Sequence, residues 1–544
     1  MSTQPKRIVC LGGGWAALYL SRKFRSAIKK GLVDVTVVSR DNFHTFHGFI
    51  AEMLVGRIQP GQITNPARRI FPPARFHNAD VERIDVVRKV VVTSRLLDGK
   101  EQELPYDHLV VALGSVDDLS RYPGISQHTL RLKTYWDCFK VRNHLLSMLE
   151  MAEIEEDPIE RKRLLTFVVV GANFGGVEVA TELMDYFQTL AKKEYNRIDP
   201  KEIRVVCVHA MERILPELAT YQPKLVDYAE KVMAKSGIEL RLKTKIEAAT
   251  PGEALLDSGE RIQTRSIISC AGNAFSPLLD TLPYERDRTG RLVTDEMTRV
   301  KGTTDVWAAG DCAAIPHPKG GTCPGVAIFA MAGGRKAADN ILRELKGKPL
   351  KKFSFTGLGD ACSLGRRKAI THVKGIRLYG LLAWVVWRTF FLYFMPTWDR
   401  RLRVLFDWFM TPIFGRDIVN LRMSEPYGLR HEHYEPGQTI IKQGAVGQQV
   451  YVIWEGEAEV VREDPAGDKV VAKLGKGDHF GEVAVFERRR RTATVRAVTK
   501  VELISLGQAE ALALSETIHP FGETIRRSPK SRDPEPAPPI RAVD

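Results

Sequence analysis

Over the first 350 residues, short β-branched runs alternate with longer stretches of helical period, and glycine turns separate them. This is the pattern of a doubly wound α/β fold, a mostly parallel sheet with helices on both faces. One sub-pattern, an apolar strand followed by a glycine-rich turn and a helix, occurs twice: RIVCLGGGWAALYLSRKF near the N-terminus and LTFVVVGANFGGVEVATELMDYF at 165–187. Their separation predicts two dinucleotide-binding lobes, one built from 1–125 and 285–350, the other from 126–284. From 351 to 424 the apolar residues cluster instead of alternating, most densely in IRLYGLLAWVVWRTFFLYFM (Ile376–Met395). Arg388 interrupts that run well short of the roughly twenty apolar residues a membrane span needs. The segment therefore predicts amphipathic helices lying in a membrane interface, with Trp384, Trp387, Trp398 and Trp408 at headgroup level and arginines on the wet face. A dimerisation or core helix is the alternative. From 425 to 527 short strands punctuated by glycine predict a small β-barrel or jelly roll, and the Pro-rich, polar 528–544 predicts a disordered tail.

Composition adds to this picture at two points. The chain of 544 residues carries a formal net charge of +14, and charge and aromatics concentrate in 351–430, where 14 Lys and Arg stand against 5 Asp and Glu and where 15 of the 45 aromatic residues lie. A basic, aromatic segment suits the surface of an anionic membrane. The seven cysteines are scattered without a CxxC pair, which predicts neither a zinc site nor a disulfide framework. With no apolar leader before the first strand, export is not expected and a reducing cytoplasm is.

The first glycine turn, Gly12, Gly13 and Gly14 followed by Trp15 and Ala16, has the form that lets backbone approach a pyrophosphate while a helix start offers free N–H groups. The acid expected at the end of the next strand is replaced by Ser39, followed by Arg40. The second turn runs Gly171, Ala172, Asn173, Phe174, Gly175, Gly176. Asn173 stands where a glycine is usual, and His209 stands where a ribose-binding acid is usual, which leaves NADH and NADPH both open as donors. Gly171, Asn173, Gly176, His209 and, later in this lobe, Gly272 are the candidate NAD(P)H-binding residues.

TTDVWAAGDCA (Thr303–Ala313) and YDHLVVALGS (Tyr106–Ser115) resemble segments of FAD-dependent disulfide-reductase-like enzymes. The resemblance implies FAD in the first lobe, with Asp311 after Gly310 on the ribityl chain and Ala112 beside the cofactor. RDNFHTFHGFIAEMLVGRIQPGQITNPARRI and the stretch from GDACSLGRRKAITHVKG to TPIFGRDIVNL narrow it: the first 420 or so residues resemble a type II NADH:quinone oxidoreductase. That resemblance implies electron transfer from NAD(P)H through FAD to a quinone, a peripheral place on the cytoplasmic face of the membrane, and a possible homodimer. It also marks Glu178 as a catalytic candidate near flavin and nicotinamide; a helix N-terminal acid favoured by the dipole is the plainer reading. The family's glutamines at the quinone entrance are Ile328 and Ala332 here, which leaves another lipid-soluble or protein acceptor, or oxygen, open. Sulfide oxidation would need a redox cysteine pair, for which Cys312 and Cys323 are the nearest candidates.

The run HFGEVAVFERRRRTATV (His479–Val495) resembles the phosphate-binding cassette of cyclic-nucleotide-binding domains. Such a ligand presents one phosphate charge and a ribose hydroxyl, so its pocket needs one cation, helix-start N–H groups and one acceptor. By the resemblance, Gly481, Glu482, Val483, Ala484, Arg491, Thr492 and Ala493 form the site. Glu482 takes the 2′-hydroxyl and Arg491 the phosphate of cAMP or cGMP. Arg488, Arg489 and Arg490 read as a solvated loop face, and nucleic acid is not an expected partner, because no base-stacking aromatics accompany the run. The whole reads as an FAD oxidoreductase under cyclic-nucleotide control; a flavoprotein sensor with vestigial reductase activity is the rival.

Overall fold

The computed structural model describes residues 4–116, 124–272, 274–421, 430–445, 449–464, 467–486, 490–507 and 510–511. The expected disordered tail, Arg488 and Arg489 lie outside the described residues. In the first lobe five parallel strands are ordered Val306–Ala308, His108–Val111, Lys6–Leu11, Val33–Ser39 and Arg75–Asn78. The chain's first strand therefore has its neighbours on opposite sides reached by different connections, and the crevice at its carboxyl end is where such sheets bind ligands. Helix Trp15–Lys29 leaves that crevice and packs against Ala327–Glu344. The contact is close enough that a Cβ on Gly334 would lie 2.0 Å from the Ala16 carbonyl.

The second lobe repeats the design with strands ordered Thr129–Leu130, Ser266–Ser269, Thr166–Val170, Arg204–His209 and Glu239–Leu242, all parallel. The chain returns to the first lobe earlier than the pattern predicts. Val116 already bridges Ala274, and Leu279 and Leu282 pack with Leu11, Val111 and Val306 in the first lobe's core. The apolar spacing of 277–282 suits either lobe, and only the core that receives it decides.

The segment after 350 is not helical throughout. It opens with an antiparallel sheet, Gly359–Ser363, Ala369–Val373 and Ile376–Tyr379, before the helices Gly380–Phe394 and Trp398–Phe414. At 15 and 17 residues these helices extend about 22 to 26 Å, and among the described residues no helix is long and apolar enough to cross a membrane. Leu381, Leu382, Val385, Leu402, Phe406 and Phe409 lie exposed along them.

The aromatic and basic residues of these helices are not disposed as expected. Of the four tryptophans, only Trp398 is strongly exposed, whereas Trp387 is fully buried. Arg388 turns inward, donating to Glu52 Oε1 through Nε at 3.0 Å and Nη2 at 2.6 Å, between the faces of Trp384 and Trp408. Trp408 Nε1 donates to the other oxygen of the same carboxylate at 2.6 Å. A buried carboxylate needs such partners, and Glu52 obtains them from both helices, which fixes the pair to the body of the α/β lobes.

Two four-stranded antiparallel sheets form the C-terminal barrel: Arg430–Tyr434, Val501–Gly507, Gln449–Glu455 and His479–Phe480 face Thr439–Ile441, Thr494–Ala497, Ala458–Arg462 and Lys469–Leu474. The barrel docks on the second lobe. His433 N–H donates to His128 Nε2 at 3.0 Å, and Gln438 Nε2 to Thr250 Oγ1 at 3.2 Å.

Candidate functional site

Gly12 takes φ +108°, and a Cβ there would lie 2.2 Å from the carbonyl oxygen of Ala112. Its N–H donates to Val38 O at 2.8 Å. Gly13 lies against Ser39, whose Oγ is 2.7 Å from where its Cβ would be, whereas Gly14 faces open space. The turn is pinned at its first glycine and vacant at its third, a cradle that fits a pyrophosphate. His44, which the sequence pattern did not single out, supports it: its ring Nδ1 lies 3.2 Å from the Gly13 carbonyl, and Trp15 meets the ring edge-on. Burial pushes the His44 pKa down to about 4, so the ring is neutral and Nδ1 donates. Arg40 turns out to the rim and pairs with Asp80 at 2.6 Å.

Asp311 follows Gly310 (φ +81°) and accepts from Ser115 Oγ at 3.0 Å; Lys133 Nζ in turn donates to Ser115 Oγ at 2.7 Å. The Lys133 carbonyl lies 3.1 Å from His47 Nε2. Ser115 and His47 lie within segments that resemble known families but were not singled out there, and Lys133 lies in none. The chain of bonds that ties Asp311 to Lys133 joins residues distant in sequence, and only the fold brings them together.

The two lobes meet over a cavity of about 400 Å³ whose lining includes His47, Lys133, Asn173, Glu178, Gly272 and Gly325. Glu178 is the centre of its chemistry. Its Oε1 accepts from Ser363 N–H at 3.0 Å and from Trp387 Nε1 at 2.9 Å. Those two donors belong to the C-terminal sheet and to the first of the terminal helices. Burial raises the Glu178 pKa to about 8, with the two hydrogen bonds opposing the rise. The carboxyl is thus buried at the cavity wall and bonded to the helix Gly380–Phe394 through Trp387.

In the second turn Gly171 has φ +96°, and a Cβ on Gly176 would lie 1.7 Å from the Gly171 carbonyl. Asn173 caps helix Phe174–Lys193: its Oδ1 accepts from Gly176 N–H at 3.0 Å while its Nδ2 donates to Cys270 O at 2.7 Å. Gly272 (φ +91°) follows Cys270 on the same cavity wall. His209 Nδ1 accepts from Ala172 N–H at 3.1 Å, so the ring is tied to its own turn, and burial lowers its pKa. With both turns offering cradles of this shape, the residues present fit FAD in the first lobe and a pyridine dinucleotide in the second.

Ile328 and Ala332 both pack against the apolar core of the first lobe and offer no hydrogen bond to a carbonyl. None of the seven cysteines forms a disulfide. Cys312 and Cys323 are buried with thiol pKa values raised to about 11, so neither is held as a reactive thiolate.

In the barrel, helix Glu482–Phe486 starts directly after Gly481 (φ +87°). Glu482 and Arg491 are both buried. Arg491 donates through Nη1 to Gly481 O at 2.6 Å and through Nη2 to Gln449 O at 2.8 Å. The guanidinium thus has two of its donors met by backbone carbonyls. Val483, Thr492 and Ala493 are half-buried around it and Ala484 is buried. Arg490 is exposed and donates to Gly444 O at 2.9 Å.

Comparison with known proteins gives three family matches: pyridine nucleotide-disulphide oxidoreductase over residues 6–334, NDH2 C-terminal domain over 358–417, and cyclic nucleotide-binding domain over 431–517. Among curated relatives, the type II NADH:quinone oxidoreductase NdhA of Mycobacterium tuberculosis is 30% identical over 418 residues, covering 74% of this chain and 86% of the relative. The internal alternative NAD(P)H-ubiquinone oxidoreductase A1 of Arabidopsis thaliana is 28% identical over 453 residues, covering 76% and 86%. Among solved structures, NDH2 from Plasmodium falciparum in complex with NADH superposes with a TM-score of 0.69 at 18% identity, covering 76% of this chain and 99% of that one, a likeness of fold.

Proposed function

The chain belongs to the pyridine nucleotide-disulphide oxidoreductase family, as an FAD-dependent dehydrogenase of the type II NADH:quinone oxidoreductase kind, and on that footing we propose that it passes electrons from NADH or NADPH to a membrane quinone under cyclic-nucleotide control. FAD, when bound, supplies the two-electron carrier between donor and acceptor. The chain's own residues do the rest. Gly12 to Gly14 admit the cofactor's pyrophosphate, Asp311 with Ser115 and Lys133 holds its ribityl side, and Gly171 to Gly176 seat the pyridine nucleotide. Glu178 holds or releases a proton at the cavity wall.

The single observation that carries this reading is Glu178: one carboxylate lines the cavity between the lobes and is held by a tryptophan of the terminal helices. The exposed apolar faces of those helices support a peripheral seat on a membrane, and we place it on the cytoplasmic side. NADH and then NADPH, added without oxygen, are expected to bleach the flavin absorbance, and a quinone analogue in anionic vesicles to restore it. A flavin that bleaches but is reoxidised only by oxygen would remove the quinone. Ile328 and Ala332 favour the second reading, a flavoprotein sensor with vestigial activity, and that reading is the one left standing if neither nucleotide bleaches the flavin.

A further inference from the structure

A cleft of about 1760 Å³ lies between the barrel and the second lobe. On the barrel side its wall includes Gln449, Tyr451, Glu432 and Tyr434. Tyr451 and Tyr434 belong to the barrel's own core, where Tyr451 stacks on Phe480 at 5.2 Å. Side chains alternate along a strand, so Gln449 points the same way as Tyr451, and the two are joined by a hydrogen bond of 2.9 Å. The interior of the barrel therefore opens into this cleft. Arg491 sits immediately behind that opening, bonded to Gln449 O and 6.0 Å from the Tyr451 ring centroid. Across the gap stand Arg163 and Arg265 of the second lobe. Arg265 is anchored by Glu160 and acts electrostatically on Tyr434.

We infer that the cyclic-nucleotide site is composite: Gly481, Glu482 and Arg491 hold the phosphate and ribose inside the barrel, and the pyridine-nucleotide lobe, through Arg265, covers the ligand's outer end. This inference rests on the cyclic-nucleotide reading of the barrel. A purine is broad, flat and rich in acceptors, and guanidinium groups stack on or donate to such edges. A ligand so placed touches both bodies at once. Its affinity then depends on their docking, and its binding changes the contacts made by His128, Gln127 and Thr250 with the barrel. By linkage, a pyridine nucleotide that alters its own lobe changes cyclic-nucleotide affinity by the same factor as the reverse.

The test uses the full-length, flavin-loaded protein titrated with cAMP and with cGMP by calorimetry, for the parent, Arg491→Gln and Arg265→Ala. Hydrogen exchange is followed at 124–128 and 249–253 with and without the ligand. Arg491→Gln is expected to lose at least a hundredfold in affinity. Arg265→Ala, with an unchanged flavin spectrum and unchanged bleaching by NADH, is expected to lose about tenfold, a typical size for coupling between sites, and exchange in both segments is expected to slow on binding. If neither nucleotide binds the parent, or Arg491→Gln binds like it, the cyclic-nucleotide reading itself fails. If binding depends on Arg491 but Arg265→Ala binds like the parent and exchange in the two segments is unmoved, the composite site is overturned while the pocket stands.

Discussion

The two glycine-rich turns occupy the same point in the same architecture, and among their differences the third position sets them apart in shape, Gly14 in the first and Asn173 in the second. The first glycine of each has positive φ and lies hard against a neighbouring strand's backbone, Gly12 on Ala112 and Gly171 on Cys270 and Ala271. There the backbone itself demands glycine. The third position makes no such demand: Asn173 has φ −73° and ψ −175°, extended backbone open to any residue. Glycine at that place serves a ligand's close approach, whereas asparagine serves the helix. The first turn thus leaves its third position open, whereas the second uses that position to cap its own helix.

The sharpest way to break the comparison is to add one methyl group to each lobe. Gly12→Ala places a Cβ 2.2 Å from the Ala112 carbonyl at a φ that L-residues avoid, and Gly176→Ala places one 1.7 Å from the Gly171 carbonyl. The first variant is expected to purify colourless. The second is expected to remain yellow yet fail to bleach with NADH, with its flavin still reducible by dithionite. A yellow Gly12→Ala, or a Gly176→Ala that bleaches at the parent rate, would show that the lobes do not divide the two nucleotides in this way.

Glu178 stands where the lobes meet, and its titration sharpens the comparison next. In the unfolded chain the carboxyl ionises near its ordinary value of 4.5, and in the folded protein near 8. Between those values the unfolded chain has released a proton that the folded one retains, so stability falls as pH rises through this window and stays lowered above it. Glu178→Gln removes the effect. At pH 8 it is expected to be more stable than the parent by on the order of 3 to 5 kcal/mol, and to equal it below pH 4.5, read as thermal midpoints. Turnover is expected to fall roughly a hundredfold, with the inflection near pH 8 gone. A variant with the parent's pH profile would leave Glu178 as a structural acid.

What the chain discloses unaided follows the range of each interaction. Gly12 and Gly171 are legible because a tight turn between strand and helix writes itself into adjacent residues. Arg491 is legible because its cassette is contiguous. Glu52 is not: its partners Arg388 and Trp408 lie more than 330 residues away, and an acid inside FIAEMLVG carries no local sign of burial. The same distance misplaced Arg388 on a wet face, since amphipathic spacing reports which side an arginine occupies only when no buried carboxylate competes for it. Lys133 escapes for the same reason, its bond to Ser115 being meaningful only beside Asp311. The last strand of the sheet before the terminal helices was hidden because Ile376–Tyr379 runs without a break into the apolar helix that Gly380 begins.

The smallest effect expected is at Asn173 itself. Its Oδ1 occupies the Gly176 N–H, a donor that a pyrophosphate arriving at this helix start would also use. Asn173→Gly gives up a side-chain cap at a position where glycine is itself tolerated, a cost of about a few tenths of a kcal/mol. It frees that donor and the space of the side chain. NADH is therefore expected to bind about two- to fivefold more tightly, equivalent to about 0.4 to 1 kcal/mol, in a titration of oxidised protein with a non-reducing NADH analogue. Asn173→Ala frees the donor but keeps a Cβ, and is expected to lose about 1 kcal/mol of stability with a smaller gain in affinity. If both variants bind as the parent does, then cap and pyrophosphate draw on different N–H groups, and the asparagine is neutral toward the ligand.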